Sequence, residues 1–402
     1  MKRDIEIKLK EIVNVLLSQK QENNNYSLLS GKFGIALFLL SYSKYYNSNE
    51  IEQKGFDLIE SVFDDIEASK YPIYTFCNGI AGIGCGLDYA IKNKLIDADI
   101  NKILDSNIDD YLFEMLKLNL SINNWDYLHG ALGVGAYFLM KSQYMDSALE
   151  KLDYLITYLE NTAQEESNNL KWQCIIDRET KEIGYNISLS HGIASIAAFM
   201  TKLFEKGIFQ KRTEKLARGS LNYILSQEID VNKYGSYFPS FSKEQNNGIY
   251  KSRLGWCYGD LGIAAVLFNA SKVFSEKSWK YKSIEVLSYI ANNRKDMQSN
   301  SIFDSGLCHG ASGVGNIFYS VWYNTKLQIF KDAADYWYNK TLEMATYTDG
   351  LAGFKTYNKN KEEILEYIND NCIITGISGI GLSLLYYINE DIPKWDEFFL
   401  LR

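Results

Sequence analysis

All three histidines of this chain stand at one recurring place, directly before a glycine that opens an apolar run. They are His129 in LHGALGVG, His191 in SHGIASIA and His309 in CHGASGVG. Three of the six cysteines, Cys77, Cys257 and Cys308, each sit two residues before such a glycine. Imidazoles and thiols are metal ligands and proton carriers, and their concentration at equivalent positions is more than packing requires. Two thiolates and one imidazole suit zinc, which prefers sulfur and nitrogen in a tetrahedral set. Cys257, Cys308 and His309 come from successive copies and are therefore the expected ligands of one zinc ion, with a fourth position left for substrate. Cys77 falls three copies away and is expected out of reach. A fourth ligand from Cys372 or Cys85 would instead close the site and make it structural.

These residues are placed by a glycine motif that occurs seven times. It reads GKFGIA at Gly31, GIAGIG at Gly79, GALGVG at Gly130, GIASIA at Gly192, GDLGIA at Gly259, GASGVG at Gly310 and GISGIG at Gly376. Steps of 48, 51, 62, 67, 51 and 66 residues separate successive copies. The residues directly before the glycines are Ser30, Asn78, His129, His191, Tyr258, His309 and Thr375, all polar although an apolar helix follows. Between copies lie amphipathic stretches of helical spacing, such as Leu149, Leu152, Leu155, Ile156 and Leu159. The pattern predicts seven apolar inner helices alternating with seven amphipathic outer helices, an all-α chain closed into a double ring. The chemical residues then collect at the N-termini of the inner helices, where free N–H groups and the helix dipole favour anions. The small residues let neighbouring backbones approach where the ring narrows. Ser195 replaces the second glycine in the fourth copy, a mild packing change.

Two steps are long. One holds KWQCIIDRETKEIGYNISLS, which reads as a β-hairpin, and the other DVNKYGSYFPSFSKEQNNGIYKSR, a polar and aromatic loop. The expected organisation is one domain over residues 1–402, with insertions at about 163–190 and 228–254. The last long step carries an irregular stretch around TYTDGLAGFKTYNKNKEE.

Composition sets the remaining bounds. Only three prolines occur in 402 residues, as suits a helical chain. A net charge of -8 argues against a nucleic-acid partner. No run of 18 apolar residues suggests a membrane span, and the first residues lack a signal-peptide core. The expectation is a cytoplasmic protein whose cysteines are thiols or ligands.

The blocks SLSHGIASIAAF, RLGWCYGDLGIA and GLCHGASGVG resemble the signature blocks of the lanthionine synthetase C-like family, and WDYLHGALGVGAY resembles an earlier block of it. The likeness covers essentially the whole chain. It implies an α/α toroid and a zinc-dependent cyclase of the free-standing type. Such an enzyme adds peptide cysteine thiols to dehydroalanine or dehydrobutyrine and forms lanthionine and methyllanthionine rings. The implied partners are a dehydrated precursor peptide, a separate dehydratase and an exporter, which would bring the protein to the inner membrane surface.

Carried over by motif, His191 and Asp126 match the family's acid–base positions, with His191 the preferred proton donor to the enolate. Arg253 matches a family arginine that would stabilise the enolate or position the peptide carbonyl, and a surface salt bridge is its alternative. Tyr258 and Trp256 flank a ligand and are expected to shape the pocket. A structural histidine and a helix cap are the plain alternatives for His191 and Asp126. Asp260 reads as a helix-dipole contact, and His129 as a polar rim residue or an extra proton-transfer group. Two other functions suit the same fold: addition of glutathione to dehydroamino acids, and a non-catalytic zinc-containing peptide-binding member.

Overall fold

The computed structural model of the chain describes residues 1–19, 25–69, 72–177, 180–245, 250–359 and 364–402. In chain order its elements are α1 (Lys2–Ser18), α2 (Lys32–Tyr46), α3 (Asn49–Ala68), α4 (Ile80–Lys92), a single turn α5 (Ile100–Ile103), α6 (Ser106–Ser121), α7 (Ala131–Lys141) and α8 (Ser147–Thr162). There follow β1 (Gln164–Glu166), β2 (Asn169–Lys171), β3 (Cys174–Asp177), β4 (Glu182–Gly184), α9 (Ile193–Glu205), α10 (Gln210–Ser226), a single turn α11 (Val231–Tyr234), α12 (Asp260–Val273) and α13 (Lys277–Asn293). The chain ends with α14 (Ala311–Thr325), α15 (Gln328–Glu343), β5 (Thr356–Lys359), β6 (Leu365–Ile368) and α16 (Ile377–Ile388), then a 3₁₀ turn at Trp395–Phe399.

Each of the seven motif glycines is the N-cap of an inner helix: α2, α4, α7, α9, α12, α14 and α16. These helices are apolar nearly all round, and α2 is buried without a break from Lys32 to Ser43. The other long helices bury one stripe. In α8 the stripe is Ala148, Leu152, Leu155, Ile156 and Leu159, as the spacing predicts.

By contact density the chain divides into two compact units. The first comprises Met1–Ile73, Cys77–Ala98 and Lys295–Lys394. Within it α14, α16, α2 and α4 lie side by side in that order, with α3 packed on α2 and α15 on α14. The second comprises Tyr74–Phe76, Asp99–Arg294 and Trp395–Arg402. Within it α7, α9 and α12 lie side by side, backed by α8, α10 and α13 respectively. Its C-terminal turn is held by Tyr127 and Trp256, which donate to the carbonyls of Phe398 and Phe399 at 3.0 and 2.7 Å.

Among the described residues, three small antiparallel hairpins interrupt the helices. The expected hairpin is β3–β4, which pairs Ile175 with Ile183 across the strands. β1–β2 was not legible, because QEE and NLK are polar and short. The stretch expected to be irregular pairs Thr356–Lys359 with Leu365–Ile368. Residues 178–179 of the expected hairpin turn, 246–249 of the expected loop and 360–363 lie outside the described residues.

The glycines serve two contacts. Gly135 and Gly381 meet side chains of neighbouring helices, as close helix packing requires, whereas Gly259 and Gly313 meet the backbone of their own cap loop. A Cβ on Gly313 would stand 1.9 Å from the Leu307 carbonyl oxygen, and one on Gly259 would stand 2.5 Å from that of Arg253. Gly259 also has φ +92°, a conformation that disfavours any side chain. Ser195 takes the place of Gly313 in the fourth copy, and its hydroxyl donates to the Gly192 carbonyl at 2.7 Å. Among the described residues no helix is long and apolar enough to cross a membrane.

Candidate metal centre and acid–base cleft

The cap loops share one device. Six residues before the motif glycine, Asn25, Asn124, Asn186, Asp304 and Asp370 each accept the first inner-helix N–H on their carbonyl, at 2.8–3.0 Å. The side chains of Asn25, Asn186, Asp304 and Asp370 also hold the N–H two residues on, an Asx turn. The loops are then stitched together. Within the first unit, the Cys308 N–H donates to the Ile374 carbonyl at 2.9 Å, and Ile374 and Ile373 donate to that of Leu29. Within the second, Leu189 and Ser190 donate to the Cys257 carbonyl at 3.2 and 3.3 Å. Rigid loops of one shape fix the residues that follow them.

The donor atoms of Cys257, Cys308 and His309 all lie within 4.8 Å of one another, a cluster that could hold a metal ion. All six cysteines are thiols rather than disulfides. Cys77 instead approaches the Ser30 hydroxyl at 3.4 Å. Cys372 is turned to Asp370 and Thr375, at 3.3 and 3.4 Å, and burial pushes its thiol far up. His309 Nε2 lies 3.8 Å from Asp304 Oδ2. That side chain is buried and accepts N–H bonds from Gly306 and Tyr357 at 2.9 and 3.0 Å, which fix its position beside His309. Asp304 was not singled out from sequence, although its place in the repeat was visible there.

The second unit carries a cleft of about 910 Å³. Its lining includes Asp126, His129, Cys174, His191 and Tyr258. Asp126 and His191 form a hydrogen-bonded pair, Oδ2 to Nδ1 at 2.6 Å, although 65 residues separate them. The other Asp126 oxygen accepts the His129 N–H at 2.7 Å. Burial opposes ionisation of Asp126. The hydrogen bond and charge of His191, with the His129 N–H, outweigh it and hold the carboxyl below the usual carboxylate range. Asp126 is therefore not the cap of α7, whose N-cap is Gly130 without a side-chain bond. Nδ1 of His191 is engaged by the Asp126 carboxylate. The His129 ring stacks on the His191 ring, with centroids 5.9 Å apart and planes at 17°.

Tyr258 lines the same cleft, with its ring 6.1 Å from that of His191. Burial pushes its phenol up to about 12, so it remains a donor at neutral pH. Arg253 is half-buried and stands outside the cleft lining. Trp256 is buried against Phe399 and has no part in that lining.

Asp260 departs from its sequence reading as a dipole contact. It is fully buried and accepts from the N–H groups of Tyr237 and Phe238, at 3.0 and 2.9 Å, and from Arg294 at 3.1 Å. Arg294 also donates to the Ser252 carbonyl. The pair clamps the long loop to the segment that carries Arg253 and Cys257. The hairpin insertion, which enters just before the fourth motif copy, contributes to the lining of the cleft. Gln173 there is fixed by the Trp125 indole N–H, which donates to its carbonyl at 3.1 Å.

Residues 22–400 match the family described as lanthionine synthetase C-like protein. The chain belongs to that family. It is 22% identical over 405 residues to nisin biosynthesis protein NisC of Lactococcus lactis subsp. lactis, with 93% of this chain and 88% of that protein covered. It is also similar to the solved structure of a nisin cyclase, with TM-score 0.77, 17% identity, and 99% and 98% of the two chains covered. That likeness shows the fold. This family member is an almost all-α protein of the α/α-toroid type with small hairpin insertions.

Proposed function

We propose that this protein is a zinc-dependent cyclase that adds peptide cysteine thiols to dehydroalanine or dehydrobutyrine, forming lanthionine and methyllanthionine rings in a dehydrated precursor peptide. The observation that carries the reading is the Cys257, Cys308 and His309 cluster in a member of this family. The relatives named for nisin biosynthesis and nisin cyclisation support the substrate class. A dehydratase that prepares the peptide and an exporter that removes it are the proposed partners.

Two thiolates and a neutral imidazole fit zinc, and the ion held there would supply Lewis acidity that favours the thiolate form of a substrate cysteine. The rest falls to the chain's own groups. Ring closure joins sulfur to the β-carbon, breaks the carbon–carbon π bond and the S–H bond, and makes a C–H bond at the α-carbon. One proton leaves and one arrives, so no oxidant is needed. Asp126 holds His191 by Nδ1 and supports its cationic form, so that Nε2 can deliver the α-proton. Tyr258 stays protonated and can donate to the carbonyl oxygen on which negative charge develops. Arg253 is proposed to support that charge or the peptide carbonyl.

The test uses a dehydrated peptide with free cysteines. Addition leaves the mass unchanged, so closure is read as loss of iodoacetamide-reactive thiols. The protein should carry one zinc ion and close rings, and Cys308→Ala should lose both the metal and the reaction. Glutathione adducts in place of rings, or closure by the metal-free variant, would overturn the reading.

A further inference from the structure

The cleft that holds the Asp126–His191 pair includes large aliphatic side chains in its lining. Ile175 on β3 and Ile183 on β4 are paired directly across the hairpin. They are 57% and 63% exposed, yet both line this cleft. Ile122, which follows α6, lines it too and is 64% exposed. Large exposed aliphatic groups in the lining of a polar cleft mark a place where an apolar group is received.

The hairpin is rigidly referenced to the Asp126–His191 pair. The Trp125 indole holds the Gln173 carbonyl at the foot of β3, and Trp125 directly precedes Asp126. On the partner strand at this same end of the hairpin, the Ser242 N–H donates to the Tyr185 carbonyl at 3.1 Å. The aliphatic groups therefore stand at a set position relative to the Asp126 carboxylate, as a specificity pocket must.

We propose that Ile122, Ile175 and Ile183 form an aliphatic ledge that seats the side chain next to the dehydroamino acid. By this contact the ledge selects which dehydroamino acid receives the thiol. The inference rests on the cyclase reading. The ligand is a peptide segment with a bulky aliphatic or aromatic residue beside its dehydroalanine. A peptide with a polar residue there gains nothing from the ledge and leaves the three isoleucines wet.

The probes are two synthetic peptides that differ only in leucine or serine beside a single dehydroalanine, each with one downstream cysteine. Seating one aliphatic side chain is worth roughly tenfold or more in kcat/KM, so the wild-type protein should prefer the leucine peptide by about that factor. The double variant Ile175→Ser, Ile183→Ser should bring the ratio close to one. Both side chains are exposed, so metal content and the far-UV spectrum should stay as in the wild type. Ile183→Ala alone provides the same reading, as a partial loss of preference. A wild-type protein without preference, or variants that keep it, would overturn the ledge.

A second arm measures binding by fluorescence anisotropy with alanine in place of the dehydroalanine. There the Kd ratio of the leucine and serine peptides replaces the rate ratio. Ring closure without discrimination sinks the ledge alone. Discrimination in binding without any ring closure sinks the cyclase reading and leaves the ledge standing.

Discussion

The hydrogen bond between Asp126 and His191 makes a demanding prediction. Asp126→Asn keeps the shape of the side chain and removes its charge. The bond it weakens is short, 2.6 Å, between side chains that are only 14% and 28% exposed, so solvent replaces little of it. A hydrogen bond to a charged group in such a setting contributes about 1.5–3 kcal/mol. If the imidazolium form of His191 is what delivers the α-proton, nearly all of that support is lost in the reacting state. A change of 1.4 kcal/mol is about tenfold in rate, so turnover should fall by roughly 10- to 100-fold. The assay is single-turnover ring closure on a dehydrated peptide, with metal content and circular dichroism as controls. Turnover within about threefold of the wild type, with metal and fold intact, would refute the pairing as a catalytic device. The pH dependence has a defined sign. The Asp126 carboxyl is held below its ordinary value, so the pair stabilises the fold above about pH 3.9. That contribution is lost as pH falls through the lower folded value, and the variant should lack this acid sensitivity.

Three further outcomes follow from the structure. Burial raises the Cys174 thiol to about 11, so brief iodoacetamide treatment at neutral pH should leave it largely unmodified and treatment near that pH should label it, as read by peptide mass spectrometry. Arg294→Leu leaves the Asp260 carboxylate buried without its cation, and urea unfolding should show a loss of about 3–5 kcal/mol. A loss well under 1 kcal/mol would mean that the clamp is not needed. Gly313→Ala places a methyl group against the Leu307 carbonyl and should cost about 1–3 kcal/mol in the same assay, whereas mere close packing between helices would be relieved by a small shift.

The alternation of seven apolar and seven amphipathic helices was legible because it is local. Burial on all sides and burial of one stripe leave different periods in the sequence, and the glycines mark each helix start. The donor types were legible for the same reason. Cys257, Cys308 and His309 share repeat positions, and a repeat places equivalent residues at equivalent points. The β1–β2 strands were too short and polar to announce themselves, and the contact of Gly259 and Gly313 with their own cap loops left no trace in the pattern.

What only tertiary structure decided is which distant side chains meet. Asp126 pairs with His191 across 65 residues. Asp260 turns inward to Arg294 and two backbone N–H groups instead of simply facing a helix dipole. Ile175 and Ile183 stay exposed and yet border the cleft of the Asp126–His191 pair. None of these leaves a periodic trace, because each depends on the direction in which a loop returns the chain. Local sequence sets the elements and the chemistry they carry, and only the packed loops set the distances at which that chemistry operates.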